Sequence, residues 1–288
     1  MKQIIITAIL TFTFTTFAIH AVEQTAFSGD GIIESTSGGF KFPDGTVLTS
    51  AGAGELVNRV AQLEAKLEGV SRGTDLNTGK DTIRFSGMNV QIVNGTGSTI
   101  ASPNGKGNLI IGYNEVRDEE NAAVPCPSDV NTEFWCNRRG GSHMLVIGWR
   151  NNYSSFGGMV VGEFNETSGT LSSVSGGQDN IASGSRASVS GGRFNIASGE
   201  QASVSGGSDN EASGKLASVS GGFLNQAGSG VTSSVCGVYN NQASGTNASV
   251  SGGSSNKAMG ENSSVSGGYQ RTVGAVNDWR AGSLFEDN

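Results

Sequence analysis

From Ser173 onward the chain is built from one unit written seven times. It reads SVSGGQDNIASGSRA, SVSGGRFNIASGEQA, SVSGGSDNEASGKLA, SVSGGFLNQAGSGVTS, SVCGVYNNQASGTNA, SVSGGSSNKAMGENS and SVSGGYQRTVGAVND. Val174, Val189, Val204, Val219, Val235, Val250 and Val265 are fifteen residues apart, except for one step of sixteen around Gly228 to Ser233. Asn180, Asn195, Asn210, Asn225, Asn241 and Asn256 keep the same beat. Two fainter copies precede them, one with Met159, Gly162, Asn165 and Gly169 and one with Val146, Gly148 and Asn152, so the array runs from about Leu145. A flexible Gly/Ser linker has no reason to hold one Val and one Asn in register. The period is that of a repeat architecture whose units stack on one another.

Within a unit, Ala187, Val189 and Gly191 alternate with Ser188 and Ser190, which places an apolar and a hydroxyl face on opposite sides of a short strand. Gly and the six asparagines are read as corner residues, because both tolerate the positive φ of a sharp turn. The expected fold is all-β: a parallel β-roll, or β-solenoid, of about 15-residue repeats with the seven valines as roll core. One Val and two or three small residues per coil make a thin core against the entropy of ordering the backbone. Association of several chains is therefore expected.

Leu56, Val60, Leu63, Leu67 and Val70 are spaced four, three, four and three, the seam of a two-heptad coiled coil between Gly54 and Gly69. A helix this short is marginal alone. Arg59-Val60-Ala61-Gln62-Leu63-Glu64 resembles the Arg-hydrophobic-x-x-hydrophobic-Glu motif of short trimeric coiled coils, in which Arg and Glu pair between helices. Leu56, Arg59, Val60, Leu63, Glu64 and Leu67 are thus the candidate trimerisation residues; the competing reading is an amphipathic helix packed on its own domain. Upstream, Phe40 or Phe42 and Val47 flank a Pro43-Asp44-Gly45 turn and suggest a hairpin.

Lys2, the apolar stretch Ile4 to Phe17 and the small residues Ala18 and Ala21 have the order of a secretory signal over residues 1–21. A membrane anchor is the alternative, but the run is short and interrupted by Thr. No later segment is apolar enough to span a bilayer as a helix. The expected organisation is then signal 1–21, a hairpin segment 22–53, a coiled coil 54–70, a β domain 71–144 with a loop insertion at 115–143, repeats 145–276 and a tail 277–288.

The insertion holds Cys126 and Cys136, which an exported chain would pair as a disulfide, together with Trp135, Arg138 and Arg139. These three suit a contact patch for an acidic or glycan partner, while packing of the loop accounts for Trp135 equally well. Cys236 stands alone in the Ser position of its repeat. With two histidines in the chain, no zinc-like cysteine spacing and no nucleophile elbow, phosphate loop or His-Glu-x-x-His, the sequence offers no catalytic constellation, cofactor site or metal site. A formal charge of −7 argues against nucleic acid.

The Ser-Val-Ser-Gly-Gly-x-x-Asn-x-Ala-Ser-Gly units, with the short coiled coil, resemble the head domains of trimeric autotransporter adhesins over roughly Leu145 to Val273. The resemblance implies a left-handed parallel β-roll with three chains side by side. It also implies a non-enzymatic protein, secreted or on the surface of a bacterium, that attaches to cells, matrix or glycans. The order differs from that family, since here the coiled coil precedes the roll. A subunit that self-assembles end to end into an extracellular fibre is the second expectation.

Overall fold

The computed structural model describes residues 34–36, 39–41, 47–48, 50–75, 77–117 and 137–281. The signal segment, the Pro43-Asp44-Gly45 turn, Cys126, Trp135 and Cys136 lie outside the described residues. The chain divides into two compact units, Met1–Val90 and Gln91–Asn288.

In the first unit, strands Glu34–Thr36, Gly39–Lys41 and Val47–Leu48 form an antiparallel sheet in which Phe40 faces Leu48 across the ladder and Lys41 faces Val47. A helix follows over Ser50–Lys66. It begins ahead of Gly54 and carries Lys66 in its last turn, where a cation complements the helix dipole. The amide of Leu67 is shared between the carbonyls of Leu63 and Glu64, and Gly69 then adopts φ +84, a left-handed stop. Val70, which the heptad spacing assigns to the seam, instead opens the strand Val70–Thr74, because the glycine has already turned the chain. That strand pairs antiparallel with Asp81–Phe85. The carboxylate of Asp75 accepts the amides of Asn77 and Thr78 in the connecting turn, at 3.1 and 2.8 Å. The Thr78 amide, above all, holds its pKa below the usual carboxylate value.

The second unit is a parallel β-solenoid with turns of about 15 residues. Each repeat contributes two-residue strands to two sheets, for example Ser188–Val189 to an 11-stranded sheet and Ile196–Ala197 to a 9-stranded one. Between them a third ladder of single bridges runs Gln178 to Arg193 to Ser208 to Phe223. The register places Val174 on Val189 on Val204 in one sheet and Ala182 on Ala197 on Ala212 in the other. These Val and Ala columns are sealed from solvent. The sixteen-residue step leaves Val219 paired to Val235, so the extra residue is absorbed in the corner between Ala227 and Ser233.

The solenoid starts before Leu145, with a coil whose stretch 108–114 (NLIIGYN) has the pattern of 144–151 (MLVIGWRN). Leu109–Ile111 pairs in parallel with Leu145, Val146 and Ile147 as the first strand of the larger sheet. The excursion expected to interrupt a separate β domain therefore leaves from the roll and returns to it.

Candidate functional site

The repeated asparagines are not corner residues. They form a buried ladder up the interior, almost wholly shielded from solvent. The amide oxygen of Asn195 accepts the backbone N–H of Asn210 in the next coil at 3.0 Å, and its amide nitrogen donates to the carbonyls of Gly191 in its own coil and Gly207 in the next, at 3.1 and 3.0 Å. Asn180, Asn210 and Asn256 repeat this three-way pattern. A buried primary amide is thus satisfied on all the sides that matter. Asn114 opens the ladder by accepting the amide of Asn151, and Asn151 rather than Asn152 is the rung in that coil. Asn152 instead pairs with Glu166 in the smaller sheet.

From Asn151 onward the left-handed backbone falls on the residue before each rung, while Asn114 is itself at φ 44. Arg150, Phe164, Asp179, Phe194, Asp209, Leu224, Asn240, Ser255 and Gln270 have φ between 50 and 60. A second left-handed corner lies at Leu171, Arg186, Gln201, Leu216, Thr232, Asn247, Asn262 and Asn277, with φ from 54 to 59. Asn and Asp tolerate this conformation and Phe, Leu or Thr do so at a cost. The ladder holds the chain there whatever the side chain, which is why residue type at the corners gave no signal.

The first corner and its bridge ladder carry a particular set of side chains. Trp149, Phe164, Phe194, Phe223, Tyr239 and Tyr269 all stand on it, six of the ten aromatics described from 109 to 281, and none of them is buried. Trp149 and Phe164 meet edge to face at 5.4 Å between centroids, and Phe223 and Tyr239 lie tilted at 5.8 Å. The Arg150 guanidinium sits 4.4 Å from the Trp149 ring centre, and Arg193 sits 4.4 Å from that of Phe194.

Beside this ridge runs a Gly-Gly pair in six of the seven repeats, with Gly237-Val238 in the other, and the two members of the pair differ. A side chain on Gly192, at φ +85, would overlap the carbonyl oxygen of Gly207 in the next coil. Its neighbour Gly191 would meet nothing within 4 Å, and the same holds for Gly206 and Gly252. At Gly192 the stack admits no side chain, whereas Gly191, Gly206 and Gly252 leave open space on the surface.

Arg138 and Arg139, expected as ligand contacts, fasten the roots of the excursion. Arg138 pairs with Glu166 at 3.2 Å, and Arg139 donates to the carbonyl of Glu115. The arginine that matters most there, Arg117, was not legible: it is buried, donates to the carbonyls of Arg150 and Asn165 at 2.9 Å, and stands 4.0 Å from Glu166. Burial pulls its pKa down, with Glu166 and then Asp179 acting against that. Burial likewise pushes the nearby Asp179 carboxyl up, opposed by Arg117 and Arg193. The signal available was Glu166 itself, which occupies the outward position held by Ile181 and Ile196 in the following coils.

The helix places its expected seam on the surface of the single chain. Leu56, Val60, Leu63 and Leu67 are 55%, 44%, 57% and 57% exposed, and Arg59 and Glu64 are exposed among them. The seven expected core valines are all buried. Cys236 is exposed, and its sulfur lies 3.3 Å from the Ser220 hydroxyl. No helix among the described residues is long and apolar enough to cross a membrane. Compared with known proteins, the chain matches no family model, and no curated protein is significantly similar to it.

Proposed function

We propose that this chain is a non-enzymatic, exported, adhesin-like protein whose three copies join through the helix and present the rolls for attachment to cells, matrix or glycans at a bacterial surface. The observation that carries this reading is the open apolar seam at Leu56, Val60, Leu63 and Leu67, in a chain whose roll completes its own core. Three apolar seams buried against one another remove that surface from water, and Arg59 and Glu64 supply opposite charges at the flank. The β-solenoid fold, with side chains repeated at every coil along its outside, suits attachment by many weak contacts. Linking such contacts multiplies avidity without any new interaction.

An end-to-end fibre is the weaker reading. In the last coil Arg271 takes the place of the ladder asparagine: its amide is received by Asn256 at 2.9 Å, but its side chain has no oxygen to receive the amide of a further coil. A charged side chain at the end of a stack is a known means of discouraging continuation.

Attachment is tested by coating surfaces with glycans, matrix proteins and cells and comparing residues 22–288 with the Val60→Asp, Leu63→Asp variant. The reading expects retention of the parent protein and a fall of about 100-fold or more in the variant from lost multivalency. Equal retention of both would remove the role given to the helix, and failure of the parent to attach to anything would remove the attachment reading.

A further inference from the structure

We infer that the C-terminal half of the aromatic ridge, at Phe223, Tyr239 and Tyr269, is a binding site for an extended, uncharged polysaccharide chain lying along the roll axis. This names the ligand class for the attachment reading and rests on it.

Stability does not account for the ridge. Phe223 and Tyr239 touch one another, but Tyr269 follows Ser254 in the ladder, has no ring contact among the described residues and is 64% exposed. Their bridge positions also admit small polar residues, as Ser208 and Ser254 demonstrate in the same ladder. The second corner accepts bulky side chains at similar φ and yet carries no aromatic residue, so the concentration on one ridge is a property of that ridge and not of left-handed corners.

The surroundings define the ligand. In the four coils from Phe223 to Tyr269 the bridge and corner positions hold no charged residue, although the chain as a whole carries −7. That composition favours a neutral partner and penalises a polyanion. On the adjoining corner column stand Asn240, Ser255 and Gln270, donors and acceptors at the spacing of the coils, whereas a contact between permanent protein partners has an apolar centre. Coils repeat at about 4.8 Å, so the segment spans about 14 Å. This repeat is close to the length of one hexose unit in an extended β-linked chain, whose ring faces stack on aromatic rings while its hydroxyls meet the amides. Gly252, in the coil that follows that of Tyr239, leaves open space in which a sugar chain can approach the backbone.

The test is calorimetric titration of the intact protein with cellohexaose and chitohexaose, and with polygalacturonate as the acidic arm. Three proteins are compared: the parent, Tyr239→Ala/Tyr269→Ala, and Gly252→Leu, whose new side chain starts in open space. The inference expects a neutral hexasaccharide to bind the parent and to lose about tenfold or more in Kd in each variant, with thermal midpoints unchanged. It is overturned if neither hexasaccharide binds, if the variants bind as the parent does, or if polygalacturonate is the sugar bound. A change of molecular mass in the tyrosine variant would show the ridge to be a contact between copies and would also overturn it. Mass by light scattering is read separately, so a monomer that binds sugar retains this site and loses the trimer, and a trimer that binds none does the reverse.

Discussion

The roll and the helix use small amounts of apolar surface in opposite ways. In the roll, each coil seals one Val and one or two Ala against the coils above and below, and a buried asparagine ties three backbone groups together. The helix has side chains of larger apolar area, and a single chain leaves them half exposed. The thin core that points to association of the repeats is therefore compensated inside the chain by the ladder. On the proposed reading the need for other copies moves to the helix, whose apolar seam is exposed among the described residues. Stability and assembly reside in different parts of the sequence.

The most severe way to break the roll side of this comparison is Gly192→Ala. The new methyl group would overlap the Gly207 carbonyl and sit at φ +85, at a cost of about 4 kcal/mol or more. Gly191→Ala, one residue away, has open space and should change stability by no more than about 0.5 kcal/mol. Urea unfolding followed by circular dichroism would compare the two, and similar losses in both would contradict the ladder geometry. Next in size is Asn195→Ala, which removes the bonds to the Asn210 amide and to the Gly191 and Gly207 carbonyls and leaves the buried Asn210 N–H without its acceptor, while Gly207 still accepts the Arg193 amide, for about 3 kcal/mol. An exposed turn asparagine would cost far less, so the same unfolding experiment decides between rung and corner. The smallest effect on the folded chain is expected of Arg271→Asn, which restores a rung at the end of the stack. Its stability should hardly move, but sedimentation should reveal concentration-dependent association absent from the parent, and unchanged sedimentation would remove the blocking role given to Arg271.

Much of this was readable in the residues, and the failures have physical causes. The Val and Asn beats located the coils, because a parallel stack puts equivalent residues directly over one another. The same asparagines were given the wrong task. Asn is a common left-handed residue and also a side chain able to fill one acceptor and two donor positions in the interior, and sequence spacing is identical for both uses. The corner positions were hidden because Phe194, Ser255 and Gln270 share no chemistry, only a backbone angle imposed by the neighbouring rung. The first coil is legible in the likeness of residues 108–114 to residues 144–151 across the excursion, whereas Arg117 within that excursion shows no period that could mark it as buried. At the helix the heptad pattern ran one step too far, to Val70, since Gly69 overrides hydrophobic spacing by turning the chain.

The separation of roles between roll and helix is tested most directly by light scattering of residues 22–288 beside the Val60→Asp, Leu63→Asp variant, with thermal unfolding of the roll followed in both. The account predicts a mass of three chains for the parent, one chain for the variant, and the same roll transition in each. A parent that is already a monomer, or a variant whose roll no longer folds once the helix is broken, would contradict it.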